Sequence, residues 1–255
     1  MDSTNNYTDT NYGIAVAISS FLAFFAYSMI LENLVTMPDI VVKKKKKERF
    51  INMIITSTHA VIAATWALYC FYIDENLVLN MLNQTTVPAY LLCCFSCGYF
   101  MHDTLLNIRH RSVSDCWEIL LHHAIVISCF GSSVVAHYLV SFTTVALLVE
   151  VNSIFLHARQ LFNLLETPKK SVLYRLNAIL NILSYIVFRI YVIGWMARWL
   201  ILHFDFVLWP YNIILTVGIP GMMVINIILF GRILIRDYWI FIRTNLSDVQ
   251  LKKSN

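Results

Sequence analysis

Two adjacent histidines, His122 and His123, lie within an apolar segment long enough to cross a membrane. Burying an ionisable group in lipid costs at least a few kcal/mol, so this pair is expected to face a protein interior. A histidine in such a place can act as a base or a nucleophile on a lipid carbonyl, with a carboxylate to orient its ring. Glu118 precedes His122 by four residues and therefore shares its helix face.

Further polar side chains lie at helical spacing in neighbouring apolar spans, where residues three, four or seven apart share one face. At about 1.5 Å per residue, Glu150 and Arg189 have nearly the same depth, and we expect them to pair. The stripes predict a polar cavity within a helical bundle. The candidate catalytic residues are His122, His123, Asp103 and Glu150, and the predicted cavity lining comprises these four with His59 and Arg189.

Three interpretations of the polar stripes are open from the residues alone. In the first, buried polar groups only hold helices together through hydrogen bonds. In the second, the stripes line a cavity that opens to the cytosolic leaflet and acts on lipid. The third is a metal site, but eight scattered histidines do not supply a histidine-rich di-iron site, and the six cysteines lack zinc-site spacing. We therefore predict neither a metal nor another cofactor.

The composition indicates an all-α multi-pass membrane protein. Hydrophobic residues make up 58% of the chain and charged residues only 13%, whereas a soluble domain carries roughly a quarter charged residues. The mean hydropathy is +0.66. No nucleic-acid partner is expected, and the sequence leaves the oligomeric state open. The chain predicts about seven transmembrane helices, near residues 13–34, 51–72, 87–107, 118–136, 142–163, 174–201 and 207–230.

The basic residues predict the orientation of these spans. All but three of the 19 Lys and Arg residues lie in the first, third and fifth loops and the C-terminal tail. The positive-inside rule then places the N-terminus outside and the C-terminus in the cytosol. The first loop contains a run of five lysines that can act as a topology anchor and can also attract anionic lipid, at about 1 kcal/mol per lysine. These residues are Lys43, Lys44, Lys45, Lys46 and Lys47.

Several motifs together resemble the TLC-domain membrane proteins, which include the ceramide synthases. They are Ser57-Thr58-His59-Ala60, Gly98 to Asp103, Trp117-Glu118 to His122-His123, Leu147 to Asn152 with Phe155-Leu156, and Tyr174 to Asn177 with Phe188-Arg189. The last set is most similar to a small subgroup that regulates membrane fluidity. The resemblance implies six core helices around a lipid-binding cavity, preceded by one extra helix.

The resemblance also divides the chain. Residues 1–49 are expected to form an extracellular tail, the first helix and the polybasic cytosolic loop, residues 50–236 the TLC domain, and residues 237–255 a cytosolic tail. In ceramide synthases the double histidine belongs to the acyl-transfer site, which implies that role for His122 and His123. A following His-Asp pair and a further Asp are matched here by Val149, Glu150 and Ser153. This departure argues against ceramide synthesis.

The resemblance to the fluidity subgroup implies a regulator of membrane phospholipid composition, without catalysis of its own. It would limit the incorporation of polyunsaturated acyl chains into membrane phospholipids and so promote rigidity. The alternatives are an acyl-CoA-dependent lipid acyltransferase that uses the His122–His123 pair, and a carrier of lipid or other cargo without turnover. The subgroup points to the plasma membrane, whereas the ending Lys252-Lys253-Ser254-Asn255 is similar to an endoplasmic-reticulum return signal.

Overall fold

The computed structural model describes residues 9–34, 36–43, 46–110 and 112–254, which form helices and connecting loops with no β-strand among them. This confirms the predicted all-α fold. The helices are α1 (Thr10–Leu34), α2 (Asp39–Lys43), α3 (Lys47–Ile73), α4 (Asn76–Leu79), α5 (Val87–His110), α6 (Val113–Ala136), α7 (Val140–Ala146), α8 (Val149–Leu164), α9 (Val172–Tyr185), α10 (Val192–His203) and α11 (Tyr211–Ser254).

Six segments of the described chain are helical, long and apolar enough to cross a membrane: Thr10–Leu34, Lys47–Ile73, Cys116–Ala136, Val140–Leu164, Val172–Phe206 and Tyr211–Asp237. They correspond to six of the seven predicted spans. The remaining predicted span, 87–107, is the 24-residue helix α5. Helix α5 packs against α1, α3, α6 and α7, so much of its surface meets protein rather than lipid and it can carry polar residues.

Two of the predicted spans contain local distortions of the helix. Between α7 and α8 the helix tightens at Leu147 and Leu148, where the amides of Glu150 and Val151 bond three residues back. The hydroxyls of Thr143 and Thr144, one turn earlier, donate to the carbonyl of Val140, and such bonds bend helices. Between α9 and α10, residues Ile186–Tyr191 form a π-helical turn.

Helix α1 lies at the edge of the bundle and buries a single stripe of its surface against α5. The contact is close because Gly98 leaves no side chain in the way: a Cβ at this position would lie 2.2 Å from the Ala17 carbonyl oxygen. Ser20 donates a hydrogen bond of 2.7 Å to the Phe95 carbonyl across the same contact. The buried stripe consists of Gly13, Ser20, Phe24, Ser28 and Leu31.

One end of the bundle carries the ion pairs that join helix ends. His110 at the end of α5 lies 3.4 Å from Glu48 at the start of α3. Glu118 near the start of α6 accepts two hydrogen bonds of 2.7 Å from Arg232 of α11. Arg159 of α8, fully buried, pairs with Asp237. Contacts thus join α3 with α5, α6 with α11 and α8 with α11 here, and we refer to this as the basic end.

Helix α11 continues beyond the predicted boundary of the last span and passes through most of residues 237–255, which were expected to form a tail. Arg159 and Asp237 hold this helix against α8 near the boundary. The side chains of Lys252 and Lys253 lie outside the part of the chain that the structure describes, as do the whole residues Lys44 and Lys45 of the lysine run.

Candidate functional site

A cavity of about 310 Å³ lies inside the bundle toward the basic end. It is enclosed by α3, α5, α6, α8, the π-helical turn and α11, whereas α1 contributes none of its lining. Five of the six predicted lining residues reach it. The cavity walls include Asn52, Thr56, Tyr99, Asp103, Asn107, Glu118, His122, His123, Glu150, Ser153, His157, Arg189 and Asn226.

Arg189 is held in the cavity wall by three side-chain oxygens. Its Nε donates to Asn152 Oδ1 at 2.7 Å, and its two terminal nitrogens donate to Asn226 Oδ1 at 2.8 Å and to Ser153 Oγ at 2.9 Å. The π-helical turn inserts one extra residue per turn and so changes the direction of this side chain, a distortion that is frequent at functional sites. Its guanidinium is thereby fixed from two neighbouring helices, α8 and α11.

Arg189 and Glu150, which the sequence predicted to pair, interact electrostatically, but their side chains share no hydrogen bond. Neutral amide and hydroxyl oxygens from Asn152, Ser153 and Asn226 occupy the arginine donors instead. Asn152 and Ser153 are neighbours in α8, and Asn226 approaches from α11. Glu150 still interacts electrostatically with Arg189, and Ser153 contacts both.

Glu150 owes its position to the break between α7 and α8. It lies in the first turn of α8. The tightened backbone at Leu147 and Leu148, where the amides of Glu150 and Val151 bond three residues back, directly precedes this turn within the membrane span. The carboxylate faces the cavity together with His157, two turns further along the same helix.

His123 is fixed through both of its ring nitrogens. Nε2 lies 3.3 Å from Asp103 Oδ2, and Nδ1 lies 3.1 Å from Thr104 Oγ1. Asp103 also accepts a hydrogen bond of 3.0 Å from the Asn107 side chain. A carboxylate that orients an imidazole is the arrangement of a general base. The structure therefore brings together His123 and Asp103, one of the two carboxylates that the sequence offered for the histidine pair.

His122 is less constrained than His123 and is only partly buried. Its Nδ1 lies 3.1 Å from Met222 Sδ of α11, and its ring centroid lies 5.4 Å from that of His123. Phe100 packs against both imidazoles. Of the two histidines, His122 thus has the ring that can meet a molecule in the cavity.

His59 does not line the cavity, although the sequence predicted that it would. Its ring stacks on Tyr99 with centroids 3.6 Å apart, and its Nε2 lies 3.3 Å from Ser96 Oγ. Tyr99 fills the space between His59 and the cavity, which helix spacing alone cannot reveal. Conversely, the sequence analysis did not predict that Asn226 of α11 lines the cavity. The signal was a polar amide within a strongly apolar span.

An apolar crevice of about 300 Å³ between α6 and α11 adjoins the cavity, since Glu118 and Ile225 line both. Pro220 and Gly221 of α11 form part of its wall, and the Glu118–Arg232 pair lies at its basic end. The crevice lies between two membrane-spanning helices, so it is an apolar space beside the polar cavity on the lipid-facing side.

No group of three or more His, Cys, Asp or Glu residues that can hold a metal occurs among the residues the structure describes. All six cysteines are free thiols, and five of them are buried among helices. The chemistry that the cavity offers is therefore that of imidazole, carboxylate, amide and guanidinium groups.

Comparison with known proteins places this arrangement in a family. The family model of the TLC domain matches residues 49–235. TLC domain-containing protein 2 of Danio rerio is 39% identical over 189 residues, which are 73% of this chain and 76% of that protein. The human protein of the same name is 28% identical over 88% of this chain and 84% of its own length. TLC domain-containing protein 1 of Gallus gallus is 35% identical over 56% of each chain.

Proposed function

We propose that this chain, which belongs to the TLC-domain family of membrane proteins, regulates the phospholipid composition and fluidity of a membrane. It limits the share of polyunsaturated acyl chains in membrane phospholipids and so favours rigid membranes. The observation that carries the proposal is the polar cavity within the bundle with an adjoining apolar crevice. A phospholipid needs both environments, one for its headgroup and one for its acyl chains.

The hydrogen bond between Arg189 and Ser153 favours lipid binding over ceramide synthesis as the role of the cavity. In the resemblance to ceramide synthases, the position of Ser153 belongs to an acid. Here its hydroxyl accepts a hydrogen bond from Arg189 at 2.9 Å, and Glu150 supplies the remaining carboxylate nearby. The cavity therefore keeps a cation at a place where the enzyme pattern calls for a second negative charge.

Lipid analysis of cells that lack the protein tests this function. After feeding with polyunsaturated fatty acids, such cells are expected to incorporate more polyunsaturated chains into phospholipid than cells with the protein, and their membranes are expected to be more fluid. Unchanged unsaturation together with unchanged fluidity contradicts the proposal.

A second candidate function is acyl transfer, favoured by the 3.3 Å contact between His123 and Asp103. Both ring nitrogens of His123 are engaged, so the ring of His122 beside this pair could accept the proton of a lipid hydroxyl or amine as that group attacks the carbonyl carbon of an acyl-CoA thioester. The new C–O or C–N bond forms, the C–S bond breaks, and the proton passes to the departing thiolate. Coenzyme A would then be a substrate that leaves as product.

Purified protein with acyl-CoA and candidate lipid acceptors separates the two functions. Turnover that is lost in both His122→Ala and His123→Ala favours the transferase. Lipid that remains bound without turnover favours the regulator or a carrier. The variant His203→Ala serves as a control because its ring contacts the Trp199 carbonyl at 3.0 Å and does not line the cavity.

We place the protein in the plasma membrane, with the N-terminus outside and the basic end in the cytosol. The support is the charge bias of the loops and the resemblance to the fluidity subgroup. Imaging of an internally tagged chain with a free C-terminus, beside a Lys252→Ser, Lys253→Ser variant, tests this. A reticular signal that moves to the cell surface in the variant would assign the protein to the endoplasmic reticulum instead.

A further inference from the structure

A second space of about 280 Å³ opens at the basic end, between α3, α5 and the end of α1. Two of its residues, Asn52 of α3 and Asn107 of α5, also line the central cavity, so their amides lie between the two spaces. We name the outer space the vestibule and the position of the two amides the neck. The other residues of the vestibule are Glu32, Lys46, Glu48, Arg49, Ile51, Leu106 and His110.

The neck contains two buried amide oxygens that accept no hydrogen bond from the described residues. Asn107 is 2% exposed, and its Oδ1 is one of these oxygens. The orientation of this amide is determined, because its Nδ2 donates to the Asp103 carbonyl at 2.8 Å and to Asp103 Oδ2 at 3.0 Å. The other oxygen is Asn52 Oδ1. Because an unpaired buried acceptor destabilises a fold, a ligand that engages both oxygens would stabilise the neck.

The charged side chains around the central cavity favour a cation as this ligand. Among the described residues that line the cavity, three are carboxylates, namely Asp103, Glu118 and Glu150. Glu118 pairs with Arg232, and Glu150 interacts electrostatically with Arg189. Carboxylates therefore outnumber these guanidinium groups by one, and the third carboxylate, Asp103, lies beside the neck. One monovalent cation at the neck would balance this excess charge.

The type of ligand atom indicates the class of cation. Carbonyl oxygens can replace the hydration shell of an alkali ion, as they do in potassium-selective channels. Transition metals prefer imidazole and thiolate ligands, and calcium takes more oxygens, usually from several carboxylates. Two amide oxygens beside one carboxylate therefore suit an alkali ion. Such a site needs neither histidine nor cysteine, so it differs from the metal sites that the sequence led us to consider.

We propose that the neck binds one monovalent alkali cation, Na⁺ or K⁺, which enters from the vestibule. Asn52 and Asn107 supply amide oxygens from two different helices, and Asp103 supplies the balancing negative charge. The bound ion joins α3 to α5 at the point where the vestibule meets the cavity, so it also closes the passage between them. The inference goes beyond the proposed function and does not depend on it.

Binding of radioactive ions to the purified full chain in uncharged detergent tests the site. Radioactive sodium reports the binding of Na⁺, and radioactive rubidium serves as the tracer for K⁺. Tetramethylammonium chloride keeps the ionic strength constant, because its cation is too large and too weakly coordinating to replace an alkali ion between two amides. We expect saturable binding of a single ion per chain, and the label that binds more tightly identifies the ion.

Asn107→Leu removes an amide oxygen of the neck, and we expect about tenfold weaker binding of the ion, which corresponds to about 1.4 kcal/mol. Asp103→Asn keeps the size of the side chain but removes its charge, and it should weaken binding as well. The matched control is Asn177→Leu, since Asn177 is also buried and also donates to a backbone carbonyl. Asn52→Leu gives a second route if Asn107→Leu does not fold.

Lack of saturable binding of both labels by the unmodified chain overturns the assignment. So does binding that Asn107→Leu and Asn52→Leu leave unchanged, because the ion would then lie elsewhere. An equal loss in Asn177→Leu also overturns it, since the loss would then reflect the fold rather than the neck. Displacement of the label by tetramethylammonium as readily as by unlabelled Na⁺ or K⁺ would show general charge attraction instead of a site built from amide oxygens.

Discussion

The two halves of the bundle use polar side chains in different ways. In the half near the basic end, Asp103, Glu150 and Arg189 point into a cavity. In the opposite half, polar groups bond to backbone: Tyr90 donates to the Val134 carbonyl at 3.0 Å, and Ser141 donates to the Gln84 carbonyl. Polar side chains thus line a space in one half, whereas in the other half they bond to the backbone of a neighbouring helix or loop.

The comparison indicates a division of tasks. The opposite half buries small and aromatic side chains of α5, α6 and α7 against each other, and these contacts specify the helix arrangement. The cavity half keeps polar groups away from lipid at an energetic cost. We therefore expect substitutions in the opposite half to change stability alone, and conservative substitutions in the cavity half to change lipid handling at nearly constant stability.

The largest effect is expected at Arg189, which serves both tasks. Arg189→Leu removes three donors from Asn152, Ser153 and Asn226 and leaves Glu150 without its nearby cation. We expect the free energy of unfolding to fall by about 3–5 kcal/mol. Reversible unfolding in mixed detergent micelles measures it. Arg198→Leu, at an exposed position of α10, is the control and should change it by less than about 0.5 kcal/mol.

A double-mutant cycle of Arg189→Leu and Glu150→Gln sharpens this result. The two residues interact electrostatically and share Ser153, so their effects should deviate from additivity by about 0.5 kcal/mol or more. Strict additivity would indicate that Arg189 matters only to the amides and the hydroxyl that it contacts.

The next largest effect is expected in the contact between α1 and α5. Gly98→Ala places a Cβ 2.2 Å from a backbone oxygen, so the two helices must separate, at a cost of about 1–3 kcal/mol. Gly131→Ala provides a matched control, since nothing lies within 4 Å of its Cβ. That change should leave stability equal or raise it by up to about 1 kcal/mol. Equal effects of both substitutions would contradict the close contact of α1.

A smaller effect is expected for Tyr90→Phe in the opposite half. The substitution keeps the ring, which is fully buried, and removes only the hydroxyl that donates to Val134. The loss should be about 1 kcal/mol, with phospholipid unsaturation in cells unchanged. A changed lipid composition at normal protein level would show that the two halves are not separable.

The smallest effect on stability is expected at the Glu118–Arg232 pair. Arg232 is 61% and Glu118 30% exposed, so Glu118→Gln should cost less than about 1 kcal/mol, and the loss should shrink at high salt. Because the pair lies at the basic end of the α6–α11 crevice, the same change is expected to speed lipid exchange. Slower or unchanged exchange of a fluorescent phospholipid would argue against the crevice as a route.

The sequence predicted the helices, because they follow from apolar length and helical spacing, and it offered Asp103 and Glu150 alike as carboxylates for the two histidines. It failed where a contact depends on how helices rotate against each other. Examples are Tyr99, which covers His59, and the neutral acceptors of Arg189. The sequence also did not predict that Arg159 pairs with Asp237. The predicted membrane domain ended at residue 236, which left Asp237 outside it.

The most direct test of the central claim is complementation with a cavity variant of unchanged size. Cells that lack the protein receive the unmodified chain, Glu150→Gln or the control Gly131→Ala at equal levels in the membrane, and are fed polyunsaturated fatty acid. We predict that the unmodified chain and Gly131→Ala lower the polyunsaturated share of phospholipid, whereas Glu150→Gln does not. If Glu150→Gln lowers that share as far as the unmodified chain does, the polar cavity is not where the protein acts on lipid composition.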